Sequence, residues 1–197
     1  MRIYIRKERI DKMIYLLRHG LDDENYVGGY SNISLTQEGY NQLDYIIPKL
    51  EKLNIKKIYT SDIKRTIDTS NYINQELNLQ INIDKNLREL DKGNLNGRLK
   101  SSLSNEEIMN LNTTNIDETI GNGESMRDLY NRVKKLLNEG YFNDKDLSLI
   151  VTHRGFINIL YFILNDINLS MNKGQFNVTH GSMHALDINK KRIKKLF

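Results

Sequence analysis

The chain of 197 residues contains no cysteine. Disulfides, thiolate nucleophiles and thiolate metal sites are excluded with it. Pro48 is the single proline, so few linkers announce themselves. No stretch reaches the roughly 18 apolar residues of a membrane-spanning helix. Residues 1–12 are charged and lack the apolar centre of a secretory signal. The expectation is therefore a cytoplasmic protein with no membrane partner. Those twelve residues read as an extra strand, an N-terminal extension, or the product of a start codon upstream of Met13. No low-complexity tract and no internal repeat divides the chain, and its length suits one domain, 1–197. The hydrophobic fraction of 39% is low, yet apolar runs recur along the whole length. The net charge of +4 permits nucleic-acid binding. The lysines are scattered, however, and the cluster at 190–195 reads as a solvated face, so no nucleic-acid partner is expected. A basic surface also draws in small anions.

What is present is a strand followed by a polar break. Ile14 to Leu17 is a short apolar run that stops at Arg18, His19 and Gly20. Such a run bounded by a glycine reads as a buried strand, and in open α/β sheets ligands collect beyond the carboxyl ends of strands. A polar loop, 21–34, follows. The spacing of Leu43, Ile46, Ile47 and Leu50 predicts a helix over 36–53, with Pro48 arguing for a kink or break. Residues 56–60 read as a strand, with Ser61-Asp62 as the cap of a helix over 62–77 whose Ile67, Ile73 and Leu77 face the sheet. Residues 81–84 alternate like a short strand, and 87–98 are irregular. Residues 98–122 are polar and read as a lid-like insertion. An amphipathic helix over 124–137 leads to the second strong strand, 147–152, which also ends in a polar break at His153, Arg154 and Gly155. A helix over 156–164 and a terminal hairpin from 182–188 and 192–197 complete the chain. Alternating strands and helices predict a three-layer α/β/α sandwich with a mostly parallel central sheet and a C-terminal antiparallel hairpin.

Two strands thus end in a histidine beside an arginine, in a chain with four histidines. If they lie side by side, His19 and His153 meet at one sheet edge, and the strand ending at Ser61 brings Arg65 there. Arginine forks match phosphate oxygens, a neutral imidazole can attack phosphorus, and Glu89 is the group able to hold a proton. Taken singly, each of these is an ordinary structural or surface residue; the joint pattern is what points to a site. His180 and His184, spaced i, i+4, lack further ligands for a metal and read as surface or packing residues.

Leu17-Arg18-His19-Gly20 resembles the signature of the histidine phosphatase superfamily, in its phosphoglycerate-mutase-like branch. Leu35-Thr36-Gln37-Glu38-Gly39, Thr60-Ser61-Asp62-Ile63-Lys64-Arg65-Thr66, Leu87-Arg88-Glu89 with Gly93 and Gly97, Gly123-Glu124-Ser125 and Val151-Thr152-His153 are similar to its further segments, in order and spacing. The resemblance implies that His19 is the phosphorylated nucleophile. It implies that Arg18, Arg65 and His153 hold the phosphoryl group and that Glu89 moves the leaving-group proton. It implies phosphate contacts from Asn25 and Gly20, and neither metal nor cofactor. Departures lie at Leu21-Asp22-Asp23, Gly28-Gly29, Asn96 and Arg154. Arg154 extends the anion site or points to solvent. Asp22, Asp23 and Glu24 repel a highly anionic substrate unless they point away.

Three functions follow. The first is a metal-independent phosphomonoesterase acting on a small phosphorylated metabolite, similar to the α-ribazole-phosphatase-like and broad-specificity phosphatases. The second is a phosphoglycerate-mutase-type phosphoryl transfer, which the chain length disfavours. The third is a non-catalytic phospholigand-binding protein, against which the joint presence of His19, Arg65, Glu89 and His153 argues. A monomer or a homodimer is expected.

Overall fold

The computed structural model describes residues 13–172 and 174–197. The reading of residues 1–12 falls outside them. Six strands form one sheet in the order β3-β2-β4-β1-β5-β6. They are β1 (Met13–Arg18), β2 (Lys57–Thr60), β3 (Gln80–Ile83), β4 (Ser148–Thr152), β5 (Met183–Asp187) and β6 (Arg192–Lys195). β1 pairs parallel with β4, β4 with β2, and β2 with β3. β5 runs antiparallel to both β1 and β6. The expected terminal hairpin is present, at the β1 side of the sheet.

The period-2 alternation of the strands separates two cores. Ile14 and Leu16 of β1, Ile150 of β4 and Leu186 of β5 pack with α4 (Met126–Asn138) and α5 (Arg154–Leu164). Leu17, Leu149, Val151 and Met183 face the other way, toward α1 (Gln37–Leu50) and α2 (Lys64–Leu77). Helices on both faces of a mostly parallel sheet give the three layers expected from the sequence.

Local differences have local causes. α1 runs through Pro48 to Leu50 and continues as a 3-10 turn, so there is no break at the proline. Pro48 and Asp44, whose carbonyl loses its helical donor, are both exposed, and water can take the missing bond. α2 begins at Lys64, not Asp62. Ser61 does not cap it, because its hydroxyl is engaged with His153 and Thr66, while Asp62 pairs with Arg88. The face of α2 that is buried is more polar than Ile67, Ile73 and Leu77 suggested: Arg65, Thr66, Thr69 and Ser70 are buried with Ile73. α5 starts at Arg154, two residues before the expected position, with His153 as its N-cap. The segment 98–122 carries a short helix, α3 (Asn105–Leu111), begun by a reciprocal Ser104–Glu107 capping box. Leu103, Leu111 and Ile120 anchor that segment in the α4/α5 core.

Candidate active site

Parallel pairing in the register Leu17↔Val151 and Arg18↔Thr152 sets the ends of β1 and β4 side by side. His19 N–H donates to Thr152 O at 3.1 Å, which locks the first residue past β1 to the last residue of β4. The two imidazole centroids of His19 and His153 are 5.2 Å apart. Arg65, one residue into α2, reaches between them: Nε donates to His19 Nε2 at 3.1 Å and Nη2 to His153 Nδ1 at 3.1 Å. Nη1 donates to Ser31 Oγ and Nη2 also to Gly29 O. The guanidinium is thereby fixed by both strand-end histidines and the loop after β1.

The hydrogen bonds decide the tautomers, because arginine can only donate. His19 Nδ1 faces Gly20 O at 2.8 Å, so the proton is on Nδ1 and the Nε2 lone pair points toward Arg65. His153 Nδ1 accepts from Arg65, so its proton is on Nε2 and donates to Ser61 Oγ at 2.7 Å. Ser61 Oγ lies 2.7 Å from Thr66 Oγ1, which donates on to Ile63 O. Burial first, and Arg65 next, hold both histidines well below the ordinary histidine range, so both rings are neutral. A neutral, oriented imidazole with an unprotonated Nε2 is a nucleophile once a phosphoryl group takes the place of the Arg65 donor.

Arg18 closes the opposite side. Nη1 donates to Val178 O at 2.9 Å and Nη2 contacts His180 Nε2. Its Nε is buried with no hydrogen-bond partner among the described residues. Burial, followed by the nearby Arg154, lowers this guanidinium to about 10, so it stays charged at neutral pH. A buried cation with an unused donor beside a cavity is what an anion site requires.

Glu89 approaches from the loop before α3. Leu90 N–H donates to Oε1 at 2.9 Å and Gly155 N–H, in the first turn of α5, to Oε2 at 3.1 Å. The loop itself is clamped by Arg132 of α4, which donates to Asn86 O, Arg88 O and Glu89 O and forks onto both carboxylate oxygens of Glu124. Arg18, His19, Arg65, Glu89, Arg154 and Gly155 line one cavity of about 230 Å³. Lys92, Lys100 and Tyr26 border its polar part. Leu90, Leu111, Met126, Phe162 and Met171 make an apolar part.

Five of the candidate residues, Arg18, His19, Arg65, Glu89 and His153, are therefore brought together, and Arg154 joins the cavity wall. Gly20 contributes its backbone: its carbonyl orients His19, and its N–H binds Thr69 Oγ1 at 3.1 Å. Asn25 is not brought in. It is exposed, its carboxamide donates to Asp23 Oδ1 at 2.9 Å, and it does not line the cavity. The reading of His180 as a surface or packing residue is corrected: it faces His19, with ring centroids 5.4 Å apart, and lines the cavity. Asp22 does not point away either; it sits between Arg65 and His180. His184 is a packing residue, buried against Tyr161 and Ser182. Ser61, Arg132, Asp22 and His180 carry no local sequence signal for their roles. Only the partners found across the fold reveal them.

A family model described as the histidine phosphatase superfamily, branch 1, matches residues 14–196. The chain belongs to the histidine phosphatase superfamily. A probable phosphoglycerate mutase of Escherichia coli is 35% identical over 130 residues, which are 63% of this chain and 60% of that protein. The chain thus matches less than two thirds of the length of that relative. A putative α-ribazole-5'-phosphate phosphatase structure from Escherichia coli superposes with a TM-score of 0.79 at 22% identity, over 93% of each chain. A mycobacterial glucosyl-3-phosphoglycerate phosphatase superposes with a TM-score of 0.68 at 20% identity, over 93% of this chain and 96% of that one. At these identities the superpositions speak for the fold, and they extend the histidine phosphatase architecture over nearly the whole described chain. Among the described residues no helix is long and apolar enough to cross a membrane.

Proposed function

We propose that this histidine phosphatase is a metal-independent phosphomonoesterase that hydrolyses a small phosphorylated metabolite through a phosphohistidine on His19. The observation that carries the reading is the state of His19: neutral, its Nδ1 proton given to Gly20 O, its Nε2 lone pair turned toward the buried Arg65 guanidinium. In the first step that lone pair forms a bond to phosphorus, the ester P–O bond breaks, and the leaving oxygen takes a proton from Glu89. Arg18 and Arg65 neutralise the charge that builds on the phosphoryl oxygens. His153 Nδ1 faces Arg65, and Ser61 holds the ring's orientation. In the second step a water attacks the phosphohistidine, Glu89 receives the water's proton, and His19 Nε2 leaves with its lone pair. No metal is needed, since the arginines supply the positive charge.

The leaving group occupies the rest of the cavity, where a basic edge of Lys92, Lys100 and Arg154 faces an apolar wall that includes Leu111 of the segment 98–122. We place Arg154 among the substrate-binding residues and read 98–122 as the flap over the leaving group. Phosphate release from p-nitrophenyl phosphate in excess EDTA tests the reading, together with acid-labile, base-stable phosphorylation of the protein in a rapid quench. His19→Ala is expected to abolish both. Undiminished turnover in that variant, or no turnover of any phosphomonoester by the wild-type chain, would sink the proposal. The curated relative's name supports a second reading, phosphoglycerate-mutase-type transfer. Interconversion of phosphoglycerates without net phosphate release would establish it.

A further inference from the structure

Asp22 and His180 stand inside the phosphoryl pocket, and the two-step reaction above uses neither. One ring nitrogen of His19, one of His180 and a carboxylate oxygen of Asp22 lie within 4.8 Å of one another. His180 Nε2 is 3.5 Å from Asp22 Oδ1 and touches Arg18 Nη2, while Asp22 Oδ2 is 3.6 Å from Arg65 Nε. The ring's position is built in. Gly181 N–H donates to His19 O at 3.2 Å and Arg18 N–H to Ser182 O at 3.1 Å, so the turn that carries His180 is pinned to the end of β1. The ring is only 13% exposed.

The charges around the ring leave it a task. Of the charged groups that line the cavity, Arg18, Arg65, Lys92, Lys100 and Arg154 oppose Asp22, Asp23, Glu24 and, before it takes up the proton it gives to the leaving group, Glu89; the sum is about one positive charge, and a phosphate dianion reverses that sign. One proton restores neutrality, and Glu89 and His180 are the two groups of the lining that can hold it, which the Glu89→Gln variant below tells apart. His19 and His153 are neutral and stay so, being buried against Arg65. Asp22, which burial alone raises, is held low by Arg65, 3.6 Å from its Oδ2, and remains a carboxylate. On the ring's far side His180 borders a groove shared with Glu38 and Lys49 of α1, whose opposite charges offset one another.

We infer that His180 is a third imidazole of the phosphoryl site: as a phosphate dianion binds, it takes up a proton on Nε2 and donates it in a hydrogen bond to a phosphoryl oxygen, with Asp22 as the positioning residue. In the free site Arg18 donates to Nε2, which fixes His180 as the neutral acceptor. When phosphoryl oxygens take over the Arg18 donors, Nε2 is released beside a carboxylate that favours the imidazolium. The balance is one solvent proton consumed per anion bound. This role deepens the phosphomonoesterase reading and rests on it.

The experiment is calorimetric titration of the full chain with orthophosphate and orthovanadate near neutral pH, in buffers of differing ionisation enthalpy. The buffer dependence counts protons. Wild-type protein is expected to take up close to one proton per anion. His180→Gln, and His180→Asn as a second replacement, are expected to bind about tenfold or more weakly, the effect of losing one charge-assisted hydrogen bond, and to take up none. Asp22→Asn is expected to lose most of the uptake, whereas Glu89→Gln keeps it. A readout of protons separates this role from a merely structural one, and thermal melts confirm that each variant is folded. Folded His180 variants with unchanged affinity and unchanged uptake overturn the proposal while the phosphatase reading stands. A wild-type chain that neither binds these anions nor hydrolyses p-nitrophenyl phosphate overturns both.

Discussion

Glu89 is held by two backbone N–H groups, and the second comes from Gly155, whose hydrogen points straight at the carboxylate. A methyl group on residue 155 would stand 2.1 Å from Glu89 Oε1. Gly155→Ala is therefore expected to push the carboxylate aside and lower kcat by about tenfold to a hundredfold with little change in KM, since misplacing a catalytic group by about an ångström has that scale of effect. Steady-state kinetics on an aryl phosphate checks it; a KM effect alone would show that Glu89 binds the substrate and does not move its proton. Ser61 acts one bond further out, by fixing the tautomer of His153. Ser61→Ala is expected to reduce kcat by about tenfold, with Ser61→Thr restoring much of it because the hydroxyl returns. The pairs that matter at this scale were unevenly legible. Arg18-His19 and His153 stand at the ends of apolar runs and announce themselves. Asp22 and His180 do not: 158 residues apart, they are joined only because β5 lies beside β1. Their meeting depends on pairing order, which local pattern does not encode. The i, i+4 spacing of His180 and His184 was misleading for a related reason. Gly181 takes φ of +67°, the chain turns into β5, and the two rings part, one to the cavity and one to the core.

Elements are held in position by backbone approach and by one arginine. Gly20 and Gly39 meet where the loop after β1 crosses the start of α1. A Cβ on Gly39 would lie 2.3 Å from Leu21 O, a backbone atom that cannot swing away. Gly39→Ala is expected to destabilise the protein by about 1–3 kcal/mol or more, the range for forced overpacking, and to displace the loop that carries Asp22. Arg132 does the same work for the Glu89 loop. It ties α4 to three carbonyls and to Glu124, which in turn accepts from Asp91 N–H at 3.0 Å. Arg132→Leu leaves a half-buried carboxylate and three carbonyls without their donor. Urea unfolding is expected to show a loss of about 2–4 kcal/mol, and kcat should fall with it because Glu89 loses its platform. A loss of stability with unchanged kcat would show that Glu89 is positioned by the N–H groups of Leu90 and Gly155 without help from Arg132. The starts of α1, α2, α4 and α5 were legible to within two residues, because apolar periodicity and capping residues are local; α3, inside the polar segment 98–122, was not. Thr36 accepts from Gly39 N–H as an N-cap should, and Ser125 closes a reciprocal box with Asp128. Where a start was misjudged, at Ser61-Asp62, a distant partner had claimed the capping hydroxyl.

The whole molecule buries three neutral histidines, and this sets its response to acid. His19 and His153 are held well below the ordinary range, and burial, with Lys195 adding, lowers His184 from 6.5 to about 4. A base whose folded-state value is depressed binds its proton more readily in the unfolded chain. Its stabilising contribution is therefore intact above the unfolded value and is lost as pH falls toward the folded one. For His184 the window runs from 6.5 down to about 4 and the loss is on the order of 3 kcal/mol. Thermal melts across that window are expected to show a falling Tm, and His184→Gln should show a shallower fall from a lower starting point. A Tm independent of pH there would mean that these rings are charged in the folded protein.

The sequence by itself determined the layer architecture and which five residues meet at the candidate site. Both follow from periodicity and from polar breaks at strand ends, which are local and survive without knowledge of neighbours. Tertiary structure alone decided which strands lie adjacent, that Asn25 turns outward onto Asp23, and that Arg65 reads both histidines at once. It also decided that a carboxylate and a third imidazole share the cavity with His19, Arg18 and Arg65. The reason is physical. A tautomer, a neutral histidine or a buried cation is a property of what surrounds the group, and those surroundings here come from β1, α2, β4, α5 and the turn before β5, segments that only the packed sheet brings within hydrogen-bond range.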